Sequence, residues 1–215
     1  MKKILVAYVT NAGSTAEVAQ LVGGELGRSD PDGLEVDVLP VKSVRDPGSY
    51  DAVIVGGPMA IGWDREARKF LRDNQRALRQ VPVALFLTAL SLTVTPETGV
   101  DSVPVFVDPS LARPPHHAGK LSLHEGFTTV RYYLGPVLKG APSIAPIGVG
   151  FFGGKLDYGR LSLPKRLFVR FVIRASEGDF RNWEAIRAWT SELRPRLLRA
   201  ERPVLVASGG RAPAP

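Results

Sequence analysis

The chain has 215 residues, of which 44% are hydrophobic, so it is long enough to bury a sizeable core and global disorder is not expected. It contains no cysteine, which excludes disulfides, thiolate metal sites and thiol redox chemistry, and a reducing cytoplasm is its expected location. The net charge is +7: residues 1–150 hold 15 basic and 15 acidic residues, whereas residues 151–215 hold 13 and 6.

Short apolar runs rich in β-branched residues alternate along the chain with stretches of helical period. Strands are predicted at residues 4–9, 36–39, 52–55, 83–87 and 144–149. Helices are predicted at residues 15–28, 64–79, 122–139, 164–175 and 182–198, and the stretch between 39 and 52 is only weakly helical. This alternation predicts an α/β protein with a parallel sheet and helices on both faces.

Two segments interrupt the pattern. Residues 96–119 form a proline-rich insertion that is too long for an ordinary connection, and we expect it to act as a lid and to hold an edge strand at 103–107. Residues 200–215 form a tail rich in Gly, Ala and Pro that we expect to be partly disordered. The predicted organisation is therefore one domain over residues 1–199, followed by this tail.

The turn after the first strand has the residue types of a phosphate-binding loop: Thr10, Asn11, Ala12, Gly13, Ser14 and Thr15. A helix begins there, and the unpaired N–H groups at a helix start carry the positive end of its dipole and attract an anion. The alternative is an ordinary Ser/Thr helix cap with a turn glycine. The glycine patterns of ATP-binding and dinucleotide-binding loops are absent at this turn, which disfavours ATP and NAD.

These features resemble the flavodoxin superfamily over residues 1–95 and 140–199. The loop at residues 10–15 is similar to the hydroxyl-rich loop with which that family binds the phosphate of flavin mononucleotide (FMN). Residues 55–62, 152–158 and 179–183 add to the resemblance. Within the superfamily the chain looks closest to the flavodoxin-domain group that includes menaquinone-dependent protoporphyrinogen IX dehydrogenase.

The resemblance implies a flavodoxin-like, doubly wound, five-stranded parallel sheet of order 2-1-3-4-5, with FMN across the carboxyl ends of the strands. The loops expected around the flavin supply Pro58, Met59, Ala60, Ile61, Gly62 and Trp63, then Thr88, Ala89, Leu90 and Ser91, and finally Gly153, Gly154, Lys155 and Tyr158. Trp63 and Tyr158 are candidate stacking aromatics, although Trp63 could instead pack on a helix that Asp64 caps. The N–H groups of Gly62, Ala89 or Gly154 are expected to tune the flavin.

His116, His117 and His124 all lie in or beside the insertion. Their H-H-x6-H spacing does not match the ligand spacing of a zinc site, so no metal is predicted and a solvated lid loop is favoured. A lid at this point would cover the edge of the flavin, where a substrate docks.

The basic carboxyl-terminal third contains Arg166, Arg170 and Arg174 at a spacing that places them on one stripe of a helix. One interpretation is a peripheral contact with the anionic inner face of a membrane; the other is a solvated basic helix. Nucleic-acid binding is not expected, because no aromatic-interleaved basic motif accompanies the charge.

Together these expectations favour an FMN-dependent oxidoreductase that takes electrons from protoporphyrinogen IX or a related tetrapyrrole and passes them to a quinone. No catalytic side chain and no oligomeric state are predicted. The alternatives are a non-enzymatic flavodoxin electron carrier and an interaction module that has lost FMN. Carriers of this family are usually acidic, so the basic charge of this chain disfavours the carrier.

Overall fold

The computed structural model describes residues 1–28, 33–60, 62–95, 100, 103–117, 120–160 and 177–199. Its strands, numbered β1 to β11 in chain order, are Lys3–Tyr8, Glu35–Pro40, Ala52–Ala60, Gly62–Trp63, Val83–Ala89, Leu92–Thr93, Val105–Val107, Ala112–Arg113, Pro146–Gly153, Lys155–Leu156 and Gly178–Asp179. Its helices, α1 to α6, are Ser14–Arg28, Arg65–Asp73, Gln75–Leu78, Leu123–Gly126, Val130–Gly140 and Trp183–Arg199. The weakly helical stretch after β2 forms two 3-10 turns, at Val41–Ser43 and Pro47–Ser49.

The central sheet is parallel and has the order β2-β1-β3-β5-β9-β7. Its first five strands are those predicted from the sequence, so the order 2-1-3-4-5 is confirmed. The edge strand predicted inside the insertion is confirmed as β7, which pairs with β9 and adds a sixth parallel strand. The flavodoxin-like α/β architecture therefore has an extended outer edge.

Alternate residues of each strand face opposite sides of the sheet, and each side carries its own core. On one side, Ile4 and Phe86 pack with the apolar faces of α1 and α6. On the other side, Leu5 and Leu85 pack with residues of α2 and α5. Helices on both faces bury the sheet, so the carboxyl edge of its strands is where a ligand can approach.

Two predicted helices are broken in the structure. The helix predicted at 64–79 divides at Asn74, whose side-chain amide donates to the carbonyl of Phe70 and ends α2. The helix predicted at 122–139 divides after Gly126, because the Thr129 hydroxyl accepts from the Tyr132 N–H and caps α5. Local side-chain bonds of this kind compete with a continuous helix, and periodicity alone does not reveal them.

The insertion is fastened to the sheet by Asp108, a fully buried carboxylate directly after β7. One of its oxygens accepts from the Ser110 N–H at 2.9 Å and from the Asn182 amide at 3.2 Å. The other accepts from the Gly153 N–H at 3.5 Å. A single carboxylate therefore joins the insertion, the end of β9 and the start of α6.

Several sequence predictions concern residues outside the described part of the chain. These are the helix at 164–175 with Arg166, Arg170 and Arg174, the tail at 200–215, and Ile61. In the part that the structure describes, no helix has the length and hydropathy that a membrane span requires.

Candidate functional site

The predicted phosphate loop lies at the carboxyl end of β1 and closes onto the start of α1. The Thr10 hydroxyl accepts from the Gly13 N–H at 2.9 Å, and the Gly13 carbonyl accepts from the Glu17 N–H at 3.2 Å. Gly13 has a φ of +91°, in the left-handed region where a Cβ is disfavoured. The first-turn N–H groups of α1 are therefore directed toward the crevice, and the loop has the geometry of an anion cradle.

Thr15 and Thr88, predicted in two different loops, meet beneath this cradle. Their hydroxyl oxygens are 3.0 Å apart, and both residues are buried. The Thr15 hydroxyl thus braces the loop against the end of β5. The hydroxyls of Thr10 and Ser14 and the backbone N–H groups remain the candidate phosphate donors.

The segment predicted as a loop after the third strand is instead a tight hairpin. The sequence placed the strand end at Val55, but β3 continues to Ala60, because residues 56–58 stay paired with residues 86–88 of β5. The chain then folds back as β4, with Met59 opposite Trp63 and Ala60 opposite Gly62. The predicted boundary was therefore wrong by five residues, and Pro58 and Met59 lie in a strand rather than in a flexible loop.

Trp63 lies in the core and is only 2% exposed, and its buried Nε1 has no hydrogen-bond partner among the residues that the structure describes. Of the two interpretations that the sequence left open, packing describes this position, and a buried indole has no free face on which a flavin could stack. Asp64 caps α2 as expected, since its Oδ1 accepts from the Glu66 N–H at 2.8 Å. Its Oδ2 accepts from the Asn11 amide at 3.4 Å, which joins the hairpin to the phosphate loop.

The loops after β5 and β9 are held together by backbone hydrogen bonds. The Ala89 carbonyl accepts from the Gly154 N–H at 2.8 Å, and the Gly154 carbonyl accepts from the Phe180 N–H at 3.0 Å. A Cβ on Gly153 would lie 1.8 Å from the Phe180 carbonyl oxygen, so only glycine fits there. Because the Gly154 N–H donates to Ala89, this N–H is not free to tune the flavin, and the roles of Gly62 and Ala89 stay predictions.

Lys155 and Tyr158 lie further out on the same side. Lys155 is exposed and pairs in β10 with Asp179 of β11. Tyr158 is half-buried in a 3-10 turn, and its N–H donates to the Glu177 carboxylate at 3.1 Å. Both residues therefore belong to the wall formed by residues 177–182 and not to the phosphate loop.

A cleft opens beside the loop that follows β5. Its volume of about 640 Å³ lies within the size range of small-molecule sites. Its apolar lining includes Leu90, Leu111 and Phe180. Arg113 also lines it, and the guanidinium donates to the carbonyls of Ser110 and Ala112 but pairs with no carboxylate among the described residues. Ser110, Leu111 and Arg113 of the insertion form part of this wall, and its role as a lid stays a prediction.

Arg181 joins this cleft to the phosphate-loop helix. Its side chain is only 4% exposed and forms ion pairs with Asp179 of β11 and with Glu17 in the first turn of α1, the latter at 2.7 Å. Its guanidinium also lies 4.4 Å from the centre of the Trp183 ring. The hydrogen bond to Asp179 raises the pKa of Arg181 and lowers the pKa of Asp179, so both stay charged. The 179–183 motif supported the resemblance in the sequence, yet its role as a bridge was not predicted.

Glu125 orders the histidine-containing part of the insertion. Its two oxygens accept from the N–H groups of His116 and Ser122, each at 2.7 Å. These bonds lower the pKa of Glu125 to about 2, with the His116 N–H as the largest cause. Among the residues that the structure describes, no group of three His, Asp or Glu side chains is arranged to hold a metal ion.

This depressed pKa predicts an acid-sensitive insertion. A carboxylate whose folded pKa lies below its unfolded value adds stability above the unfolded pKa and loses it as the pH falls toward the folded one. We therefore expect Glu125→Gln to lower the melting temperature near neutral pH, with the difference from the parent narrowing between about pH 5 and about pH 2. Exposed Glu192→Gln is the control, and a constant difference across this range would contradict the assignment.

FMN is the cofactor that the resemblance implies, and the residues present fit it. The cradle at residues 10–15 needs an anion to pair with its helix-start N–H groups, and its left-handed Gly13 leaves the backbone open to close approach. The ends of β3 and β5 border the same crevice. Thr10, Asn11 and Ser14 would hold the phosphate, Gly13 would leave room for its close approach, and Gly62, Ala89 and Leu90 would border the ring.

Solved structures that are similar include a flavodoxin from the domain Archaea (11% identity, 91% of this chain and 99% of that one, TM-score 0.49). A second is the two-electron reduced flavodoxin of Megasphaera elsdenii (13% identity, 69% of this chain and 84% of that one, TM-score 0.41). A third is an oxidoreductase from Corynebacterium diphtheriae (13% identity, 94% of this chain and 99% of that one, TM-score 0.49). No curated protein sequence matches the chain. The family model described as "Flavodoxin domain" matches residues 5–182, and the chain therefore belongs to the flavodoxin domain family.

Proposed function

We propose that this protein is an FMN-dependent oxidoreductase that oxidises a carboxylate-bearing tetrapyrrole, protoporphyrinogen IX or a close relative, and passes the electrons to a quinone. The observation that carries the proposal is the cleft of about 640 Å³ beside the loop that follows β5. An electron carrier needs an exposed flavin edge but no substrate cleft. A cleft joined to the cofactor loop through Arg181 and Glu17 favours an enzyme.

The lining of the cleft suggests the class of substrate. Leu90, Leu111 and Phe180 offer apolar surface to a broad ring system, and Phe180 is 44% exposed. Arg113 offers a cation that no described carboxylate neutralises, so it can bind a carboxylate of the substrate. These residues would bind and orient the substrate and exclude water, while bound FMN supplies the electron transfer.

A kinetic experiment tests this role. Protein reconstituted with FMN should oxidise protoporphyrinogen IX with menadione as acceptor, which is followed by protoporphyrin fluorescence under anaerobic conditions. Arg113→Gln should raise KM about tenfold with little change in kcat, since it removes an ionic hydrogen bond to the bound substrate. Arg45→Gln, an exposed arginine outside the cleft, is the matched control.

The outcomes separate the candidate functions. A flavin-loaded protein without turnover, but reducible by a flavodoxin reductase, would support the electron carrier instead. A protein that binds no FMN would support the interaction module. Equal KM values for Arg113→Gln and Arg45→Gln would remove Arg113 from the substrate site.

Because quinones are lipid-soluble, the proposal also places this protein in the cytoplasm at the inner face of the membrane. The predicted stripe of Arg166, Arg170 and Arg174 would provide the contact with anionic lipids. Replacing all three by glutamine should reduce co-sedimentation with phosphatidylglycerol vesicles. Unchanged co-sedimentation would refute the role of the stripe.

A further inference from the structure

A second cleft, of about 390 Å³, lies between α2 and α5, on the opposite face of the sheet from α1 and α6. One wall is made by four basic residues of α2: Arg65, Arg68, Lys69 and Arg72. The other wall is made by Pro136, Val137 and Gly140 of α5. We call this feature the α2–α5 groove.

The cations of the groove are only partly neutralised. Asp73 pairs with both Lys69 and Arg72, the latter at 3.4 Å, and the nearby Glu66 pairs instead with Lys42 at 2.9 Å. Arg65 and Arg68 pair with no carboxylate among the described residues. The groove therefore carries unbalanced positive charge, although residues 1–150 as a whole are electrically balanced.

Arg68 adds a second indication. Its Nε is buried and has no hydrogen-bond partner in the described structure. A buried donor without an acceptor is costly, and natural proteins rarely keep one without a reason. The buried Nε holds the side chain in place without a bond of its own, and a carboxylate in the groove can bond the terminal nitrogens of this guanidinium.

The shape of the groove favours a peptide over a small anion. Arg65 and Arg72 are seven positions apart on one helix, about 10 Å along its axis, so the cations suit several separate charges better than one phosphate. The facing wall holds the apolar side chains of Pro136 and Val137, and Pro136 has no N–H to offer an anion. Apolar side chains beside acidic ones can use both walls.

We propose that the α2–α5 groove docks an acidic segment of a partner protein. The helix α2 begins at the cap Asp64, which bonds Asn11 of the phosphate loop, so a partner in the groove lies beside the FMN crevice. The docking itself does not depend on the reaction proposed above.

The test measures binding of a fluorescein-labelled oligoglutamate peptide to the FMN-loaded protein by fluorescence anisotropy. The triple variant Arg65→Gln, Arg68→Gln, Arg72→Gln should bind at least about tenfold more weakly. The control triple variant Arg45→Gln, Arg79→Gln, Arg199→Gln loses the same charge from exposed sites outside the groove and should change Kd less than about threefold. Raising the NaCl concentration from a low value to about 0.15 M should increase the Kd of the parent protein for the peptide.

Three results would overturn the proposal. Equal losses in the two triple variants would mean that only net charge matters. If tripolyphosphate displaces the peptide, binds more tightly than the peptide does, and binds the groove variant more weakly than the parent, the groove is a polyphosphate site. If the groove variant loses more of its affinity for phosphatidylglycerol vesicles than of its affinity for the peptide, the groove binds a membrane surface. FMN affinity, measured in the same samples, distinguishes each of these from a failure of the cofactor site.

Discussion

Replacing Gly13 with valine is expected to weaken FMN binding by about 10- to 100-fold. Gly13 has a φ of +91°, and a β-branched residue there costs about 1–3 kcal/mol, which the loop can relieve only by turning its N–H groups away from the phosphate. Riboflavin, which has no phosphate, should bind the variant and the parent within about threefold of each other. Titration of the apoprotein with each flavin, followed by quenching of flavin fluorescence, measures both constants.

The matched control is Gly24→Val, the same substitution on an exposed position of α1 where a Cβ meets nothing within 4 Å. It should leave FMN binding unchanged. Equal losses of FMN and riboflavin in Gly13→Val would indicate a general disruption, and no loss of either would show that the phosphate lies elsewhere.

Replacing Asp108 with alanine is expected to lower the free energy of unfolding by about 3 kcal/mol. The change removes the acceptor for the N–H groups of Ser110 and Gly153 and for the Asn182 amide, all at a fully buried position. Asp108→Asn keeps one acceptor oxygen and should lose less. Urea unfolding followed by circular dichroism gives the comparison.

The control is Asp73→Ala, which removes an exposed carboxylate from the ion pairs of α2 and should lower the free energy of unfolding much less, because exposed ion pairs contribute little. If Asp108→Ala and Asp73→Ala unfold at the same urea concentration, the buried network does not hold the insertion. Because the cleft wall begins two residues after Asp108, the substrate KM of a folded Asp108→Asn protein should also rise.

The positions of the strands and of the loop after β1 could be predicted because local signals specify them, whereas the strand order was predicted from the family resemblance. Buried parallel strands are continuous apolar runs, and the loop at residues 10–15 combines a turn glycine with hydroxyls at a helix start. The extension of β3 through Gly56, Gly57 and Pro58 was missed, since these residue types usually end a strand. Only the pairing with β5, which is distant in sequence, keeps them in the sheet.

The α2–α5 groove and the role of Asp108 were missed for a different reason. Charge counted along the chain averages cations and carboxylates that the fold separates, so the basic wall of α2 was hidden in a balanced segment. Asp108 follows a short edge strand in a proline-rich stretch, where an aspartate is most often an exposed turn residue. Its burial depends on Gly153 and Asn182, which no local pattern links to it.

The position of β9 has a consequence for synthesis. This strand lies between β5 and β7, yet both of them precede it in the chain. During synthesis, β5 and β7 therefore each have an unpaired edge until β9 is made and pairs with both. Unpaired strand edges can pair with other chains. The Gly154 carbonyl likewise has no partner until Phe180, whose N–H donates to it, has been made. The cleft can thus form only after the chain has been synthesised as far as residue 187.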